Sequence, residues 1–89
     1  MKIEEVNENI KKIETKLLDN KIKLEIAKAI IFLTETEKIA EELNKKKATE
    51  KDKEHYINQN KTIINLKETI NKNKIELDYQ KRLYEILLQ

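Results

Sequence analysis

Apolar residues recur every seven positions along the first third of this chain, in the a and d pattern of a helical coiled coil. With Ile3 at position a, eight of the ten a and d positions up to Thr34 are apolar. A second series with the same period begins at Tyr56 and runs to Leu87. The chain contains no Gly and no Pro, which are the usual residues of tight turns and sheet corners. Together these features predict long amphipathic helices.

The two apolar series are out of phase with each other. Ile31, the last a position of the first, and Tyr56 are 25 residues apart, which is not a multiple of seven. The segment between them, residues 44–55, reads NKKKATEKDKEH, and its only apolar residue is Ala48. One interpretation is a single helix about 130 Å long with a stutter in its repeat. The other is a pair of helices folded back on each other.

The register of the two series favours the folded-back arrangement. In an antiparallel pair, the numbers of facing residues always have the same sum, and a positions of one helix face d positions of the other. For these two series a sum of 97 gives that pairing. The turn is then centred between Ala48 and Thr49. Registers one heptad away would centre it near 45 or 52. Thr49 also begins the sequence TEKD, typical of a helix N-cap with an acidic residue three positions later. We predict an all-α, coiled-coil-like antiparallel hairpin, a single domain over 1–89, with helix 1 at about 2–46, a turn at about 47–50 and helix 2 at about 50–88.

The first helix carries more apolar residues than one seam requires. The run AIIFL, residues 29–33, would point in every direction around a helix. A second stripe lies opposite the seam and consists of Ile22, Ile26, Ala29, Leu33, Ala40 and Leu43. Leaving its four large side chains in water would forgo on the order of 6–10 kcal/mol. We therefore predict that a second copy covers this stripe and that the homodimer is an antiparallel four-helix bundle.

The C-terminal segment RLYEILLQ also offers more apolar surface than a hairpin can cover. Its residues Leu83, Ile86 and Leu88 join the predicted partner or dimer interface, because exposed apolar clusters usually mark an interface.

The seam itself includes four polar residues, Asn20, Gln59, Asn73 and Gln80. Polar groups at such positions usually fix register and oligomeric state at some cost in stability.

Catalytic and metal-binding chemistry is not indicated. The single histidine, His55, lies one helical turn from Asp52, but two ligands make a weak metal site. No nucleophile–base pair stands out, and a phosphate-binding glycine loop is impossible without glycine. We expect a non-enzymatic protein without cofactor, metal or catalytic residues.

The densest basic stretch lies near the predicted turn. It consists of Lys45, Lys46, Lys47, Lys51 and Lys53. Such a cluster could contact nucleic acid or a small nucleotide through charge. However, Glu50, Asp52 and Glu54 alternate with these lysines, and the net charge of the chain is only +2. Anion binding is therefore the alternative function, and nucleic acid is the less supported partner.

Binding to another protein is the function that the architecture favours. A small helical module of this kind would serve as an adaptor, assembly factor or inhibitor of an unidentified protein. The chain is rich in Ile, Lys and Asn, whose codons are A/T-rich, which suits a phage or mobile element. The longest apolar run is far shorter than the roughly 20 residues that span a bilayer, so we expect a cytoplasmic protein without membrane contact.

Overall fold

The computed structural model describes residues 2–44, 47 and 49–89, apart from the side chains of Thr36 and Glu37. Four helices follow one another: α1 (Ile3–Thr34), α2 (Thr36–Glu42), α3 (Glu50–Gln59) and α4 (Lys61–Leu88). The described residues include no strand. α1 packs along α4, and α2 contacts α3. The predicted all-α helical hairpin is confirmed; its dimerisation remains a prediction.

The elongated shape results from two helical arms, the first formed by α1 and α2 and the second by α3 and α4. The molecule measures 62 × 17 × 15 Å. About 40 helical residues at 1.5 Å each extend for about 60 Å, so α2 continues roughly in the direction of α1, and α3 and α4 return alongside. A width of only two helix diameters means that each helix has one face toward its neighbour and a wide face toward solvent.

The first arm is not the single helix predicted for residues 2–46. It is interrupted at Glu35, whose backbone (φ −111°, ψ 12°) is not helical, and α2 ends at Glu42. The hydroxyl of Thr34 donates to the carbonyl oxygen of Ile30, 2.7 Å away. A threonine that bonds back to the preceding turn in this way competes with backbone hydrogen bonds and bends helices. This hydrogen bond is the local contribution to the interruption.

The second arm is interrupted at Asn60, although one helix was predicted from about 50 to 88. Asn60 has extended backbone angles (φ −66°, ψ 130°). Its side-chain Oδ1 accepts from the backbone N–H groups of Thr62 at 2.9 Å and Ile63 at 3.3 Å. This is an N-cap, which satisfies donors that a helix start leaves unpaired. Lys67 Nζ donates to Asn58 Oδ1 at 2.9 Å and links the two helices across the interruption.

The turn between the arms begins earlier than predicted. Asn44 follows the end of α2 with a positive φ of 55°, a conformation that asparagine tolerates better than most residues. The predicted N-cap of the second arm is present: Thr49 Oγ1 accepts from the N–H of Asp52 at 3.2 Å, and Asp52 Oδ2 accepts from the N–H of Thr49 at 3.0 Å. The predicted end of helix 1 at 46 lies outside the described residues.

Contacts and burial along the seam indicate the register whose turn is centred near residue 45, one heptad from the predicted register. Residue 46 lies midway between Glu42 and Glu50, the ends of α2 and α3. With a pairing sum of 97, Tyr56 would face Glu41, yet its hydroxyl bonds to Glu35, as a sum of about 90 requires. Val6 has no exposed surface. A sum of 90 places Tyr84 opposite Val6, and Tyr84 is half-buried. The register centred near 45 thus accounts for the burial.

The core is thin and follows the predicted seam only in part, because Ile39, Ala40 and Ile57 lie off that seam. Its most buried members are Val6, Ile10, Ile13, Ile39, Ala40, Ile57, Ile63, Ile70 and Asn73. Asn73 Nδ2 and Gln80 Oε1 are both buried without a hydrogen-bond partner among the described protein atoms. An unpaired buried polar group costs about 1–3 kcal/mol. The polar seam positions therefore weaken the contact between α1 and α4.

Candidate interaction surfaces

The outer face of α1 is apolar over four turns. Its exposed side chains are Leu18, Ile22, Ile26, Ala29 and Leu33. At about 100° per residue, these five positions fall within about 80° of one another and lie opposite the residues that contact α4. Leu33 is 79% exposed and Ile26 is 55% exposed. We call this set the α1 outer face.

Most of the stripe predicted on the first arm belongs to this face. Ile22, Ile26, Ala29 and Leu33 are exposed as a continuous set. Ala40, which was predicted with them, is only 7% exposed and packs with Ile39 in the core. The non-helical residue Glu35 changes the phase between α1 and α2, so that the stripe does not continue through Ala40. Leu43 is exposed but lies at the tip, beside the turn.

The outer face of α4 carries a second set of exposed apolar side chains, which we call the α4 outer face. It consists of Ile64, Ile75, Tyr79 and Ile86, and Ile75 is 71% exposed. Ile64, Ile75 and Ile86 are spaced by eleven residues, which is three helical turns. Only Ile86 was among the predicted interface residues, although Ile64, Ile75 and Tyr79 also lie off the seam of the second helix in the sequence.

Some apolar side chains at the C-terminal end of α4 pack within the hairpin, and others are exposed to solvent. Leu83 and Tyr84 are half-buried, whereas Ile86 and Leu88 are more than 60% exposed. Among the three predicted residues at this end, Leu83 therefore contributes to the hairpin, and the other two are free to meet another surface.

The tip contains a pocket of about 280 Å³ between α2 and α3. Ile39 and Leu43 provide apolar walls, and Lys51, His55 and Tyr56 line the opposite side. His55 Nε2 lies 3.0 Å from Gln59 Nε2. The Asp52 carboxylate, one helical turn before His55, caps α3. Within the described residues, no group of three His, Asp or Glu side chains could hold a metal ion.

A hydrogen bond between the arms closes the base of this tip. The Tyr56 hydroxyl donates to the Glu35 carboxylate. This hydrogen bond, together with desolvation and the negative charges of Glu35 and Glu42, raises the pKa of Tyr56 above its ordinary value of 10.0, and Lys38 opposes the shift. Glu35 Oε2 is itself buried without a hydrogen-bond partner among the described atoms. Tyr56 and Glu35 thus hold α3 against the end of α1.

Of the lysines predicted to contact an anion, Lys47 and Lys53 line one shallow pocket together with Phe32 and Glu50. Lys45 and Lys46 lie outside the described residues. Lys47 and Lys51 are exposed, and Lys51 shares the tip pocket with Glu42 and Asp52. The Nζ of Lys53 lies 4.3 Å from the centroid of the Phe32 ring, a cation–π contact. Acidic neighbours and this ring contact reduce the positive charge available to a ligand.

Comparison with protein-family models, with curated proteins and with solved structures finds no match for this chain. None of the helices over the described ranges is long and apolar enough to cross a membrane.

Proposed function

We propose that this chain is a non-enzymatic helical interaction module that binds another protein through an apolar helix face. The observation that carries the proposal is the exposure of apolar side chains on the outer faces of both long helices. Ile26 and Leu33 on α1, and Ile75 and Tyr79 on α4, are each more than half exposed. Soluble monomers rarely leave contiguous apolar patches larger than a few hundred Å² in water, and larger ones mark interfaces.

The α4 outer face has the features of a site for a foreign helix. Ile75 and Tyr79 are one turn apart and line a shallow pocket with Asp78 and Arg82. An apolar centre with a charged residue of each sign beside it suits an amphipathic helix that presents apolar anchors at turn spacing and polar groups at its rim. Tyrosine contributes a large contact area and a hydroxyl group that can reach the rim. The chemistry of the proposed partner is therefore an amphipathic helix.

Anion binding is the weaker alternative. The Lys53 ammonium group is engaged by Phe32, and Glu42 and Asp52 lie beside Lys51. Binding through charge requires several cations free to face phosphate groups, and at the tip Glu50, Asp52 and Glu54 alternate with the lysines.

The experiment captures partners on the immobilised chain at about 0.1 M and about 1 M salt, between which the Debye length falls from about 10 Å to about 3 Å. A protein held by the α4 outer face should remain bound at the higher salt concentration and be lost with Ile75→Ser together with Tyr79→Ser. Lys74→Ser, an exposed change on another face of α4, is the matched control. A partner lost at high salt, or lost with Lys47→Glu and retained by the double variant, would contradict the proposal and favour anion binding.

A further inference from the structure

The α1 outer face has the spacing of a second coiled-coil seam. Ile22, Ile26, Ala29 and Leu33 are separated by four, three and four residues, the alternation of d and a positions in a heptad. No charged residue occupies one of these four positions. The flanking positions are Lys23, Glu25, Ile30 and Phe32. A seam of this form packs against another helix through knobs that fill holes.

The spacing is complementary to itself in the antiparallel direction. When two α1 helices lie side by side with a twofold axis between positions 27 and 28, Ile22 of each copy meets Leu33 of the other, and Ile26 meets Ala29. Each large side chain at the centre then faces a small one, which lets the helices approach closely. In a parallel pair Ala29 would face Ala29 and leave a void, which costs stability.

The flanking residues also allow this pairing. In the antiparallel register, Lys23 lies beside Ile30 of the other copy, and Glu25 lies beside Phe32. No like charges face each other there, and the methylene groups of Lys23 can cover Ile30. Glu25 forms an ion pair with Lys28 of its own helix, 3.6 Å apart, which partly neutralises its charge. The net charge of +2 per chain opposes association only weakly.

From these features we propose that a second copy of this chain covers the α1 outer face, with the two α1 helices antiparallel. The dimer is an open row of four helices in the order α4, α1, α1 and α4. This differs from the closed four-helix bundle predicted from the sequence, in which each helix contacts two neighbours about 90° apart. Here the α1 outer face lies about 180° around the helix from the face that packs on α4. Each α1 therefore lies between its own α4 and the α1 of the other copy, and the four helices form a flat row.

The length of the contact sets its expected strength. The four positions from Ile22 to Leu33 extend for about 17 Å along the helix. A contact of this length between two helices buries less surface than a standard interface, which buries about 800 Å² per partner. We expect a dimer that dissociates in the micromolar range and that leaves both α4 outer faces in solvent. Self-association is therefore independent of whether a foreign helix binds α4.

The first experiment measures mass by sedimentation equilibrium from about 1 to 200 µM, a range chosen around the expected dissociation constant. The unmodified chain should change from 10.7 kDa to twice that mass. Leu33→Lys should keep the chain monomeric throughout, and Ile26→Gln provides an uncharged second variant. The matched control, Ile75→Lys, changes a comparably exposed residue on α4 and should leave dimerisation intact. Circular dichroism of each variant verifies that its helices are retained.

The second experiment tests the direction of the helices. Because the chain has no cysteine, an equimolar mixture of Ile22→Cys and Leu33→Cys chains should form the mixed disulfide dimer on mild oxidation. Leu33→Cys alone should form little, since its two sulfur atoms would lie about 17 Å apart along the axis. Efficient linking of Leu33→Cys with itself would overturn the antiparallel arrangement. A monomer over the whole concentration range, or a dimer abolished by Ile75→Lys and not by Leu33→Lys, would overturn the proposed surface.

Discussion

Thr34 and Ile30 are joined by a 2.7 Å hydrogen bond from the threonine hydroxyl to the isoleucine carbonyl oxygen, and α1 ends at this threonine. Two other threonines, Thr15 and Thr69, bond back to the preceding turn at 3.0 and 2.9 Å without interrupting their helices. What distinguishes Thr34 is the next residue, Glu35, whose carboxylate accepts from Tyr56 on the other arm. The helix interruption thus combines a local competitor for backbone bonds with a contact to the opposite arm.

Replacing Thr34 by alanine should extend α1 toward α2. The variant removes the hydroxyl and adds the best helix former, a change worth about 0.5 kcal/mol in an exposed helix. Far-ultraviolet circular dichroism should show a small gain in helicity, and the melting temperature should rise. Thr15→Ala is the matched control, because its helix is already continuous: it should raise stability without a gain in helicity. A loss of helicity in Thr34→Ala would contradict the role given to the hydroxyl.

The cap at Asn60 should contribute measurably to the stability of the hairpin. Asn60→Ala removes the acceptor for two backbone N–H groups and should lower the free energy of unfolding by about 1 kcal/mol. Urea denaturation measures the change. Asn71→Ala, at an exposed position within α4, should instead be neutral or slightly stabilising, since alanine favours a helix interior. Equal effects of the two substitutions would show that the cap contributes nothing.

Asn73 should be a position where an apolar residue raises stability. Its Nδ2 is buried without a partner among the described atoms, and Asn73→Leu removes that cost while adding apolar contact with α1. We expect a gain of about 1–3 kcal/mol in the free energy of unfolding. Because polar seam residues restrict pairing, the variant should also populate more than one register, visible as broadened distances between spin labels on α1 and α4. Asn71→Leu, on the exposed side of α4, is the control and should do neither.

The contact between Tyr56 and Glu35 should make the stability of the tip sensitive to alkaline pH. Because the pKa of Tyr56 is raised in the folded chain, its contribution is complete below the unfolded value of about 10 and is lost as the pH rises through the higher folded value. The unmodified chain should therefore be more stable than Tyr56→Phe at neutral pH, and the difference should vanish above the folded pKa. Thermal melts of both chains between neutral and strongly alkaline pH measure this difference. A constant difference across that range would contradict the assigned contact.

Several features of the fold could be predicted from the sequence because they depend on neighbouring residues. The seven-residue spacing around Ile10 and Ile63 identified the buried faces, and the sequence TEKD identified the cap at Thr49. The cap at Asn60 also depends on a local signal, since asparagine is a favoured N-cap residue, but the apolar series alone predicts one continuous helix through this position. The interruption at Glu35 depends partly on Tyr56, which is distant in the sequence.

Heptad spacing alone determined which face of each long helix is buried, because side chains three and four residues apart share a face whatever covers them. It did not determine the register, since sliding one helix by seven residues brings the same kinds of residue together again. Only the tertiary structure decided that choice, through the contact between Tyr56 and Glu35 on opposite arms. It likewise placed Ala40 in the core and left Leu33 in solvent, although both lie on the same stripe in the sequence. The reason is that the non-helical residue Glu35 shifts the helical phase of every residue after it, and a periodic pattern carries no information about such an interruption.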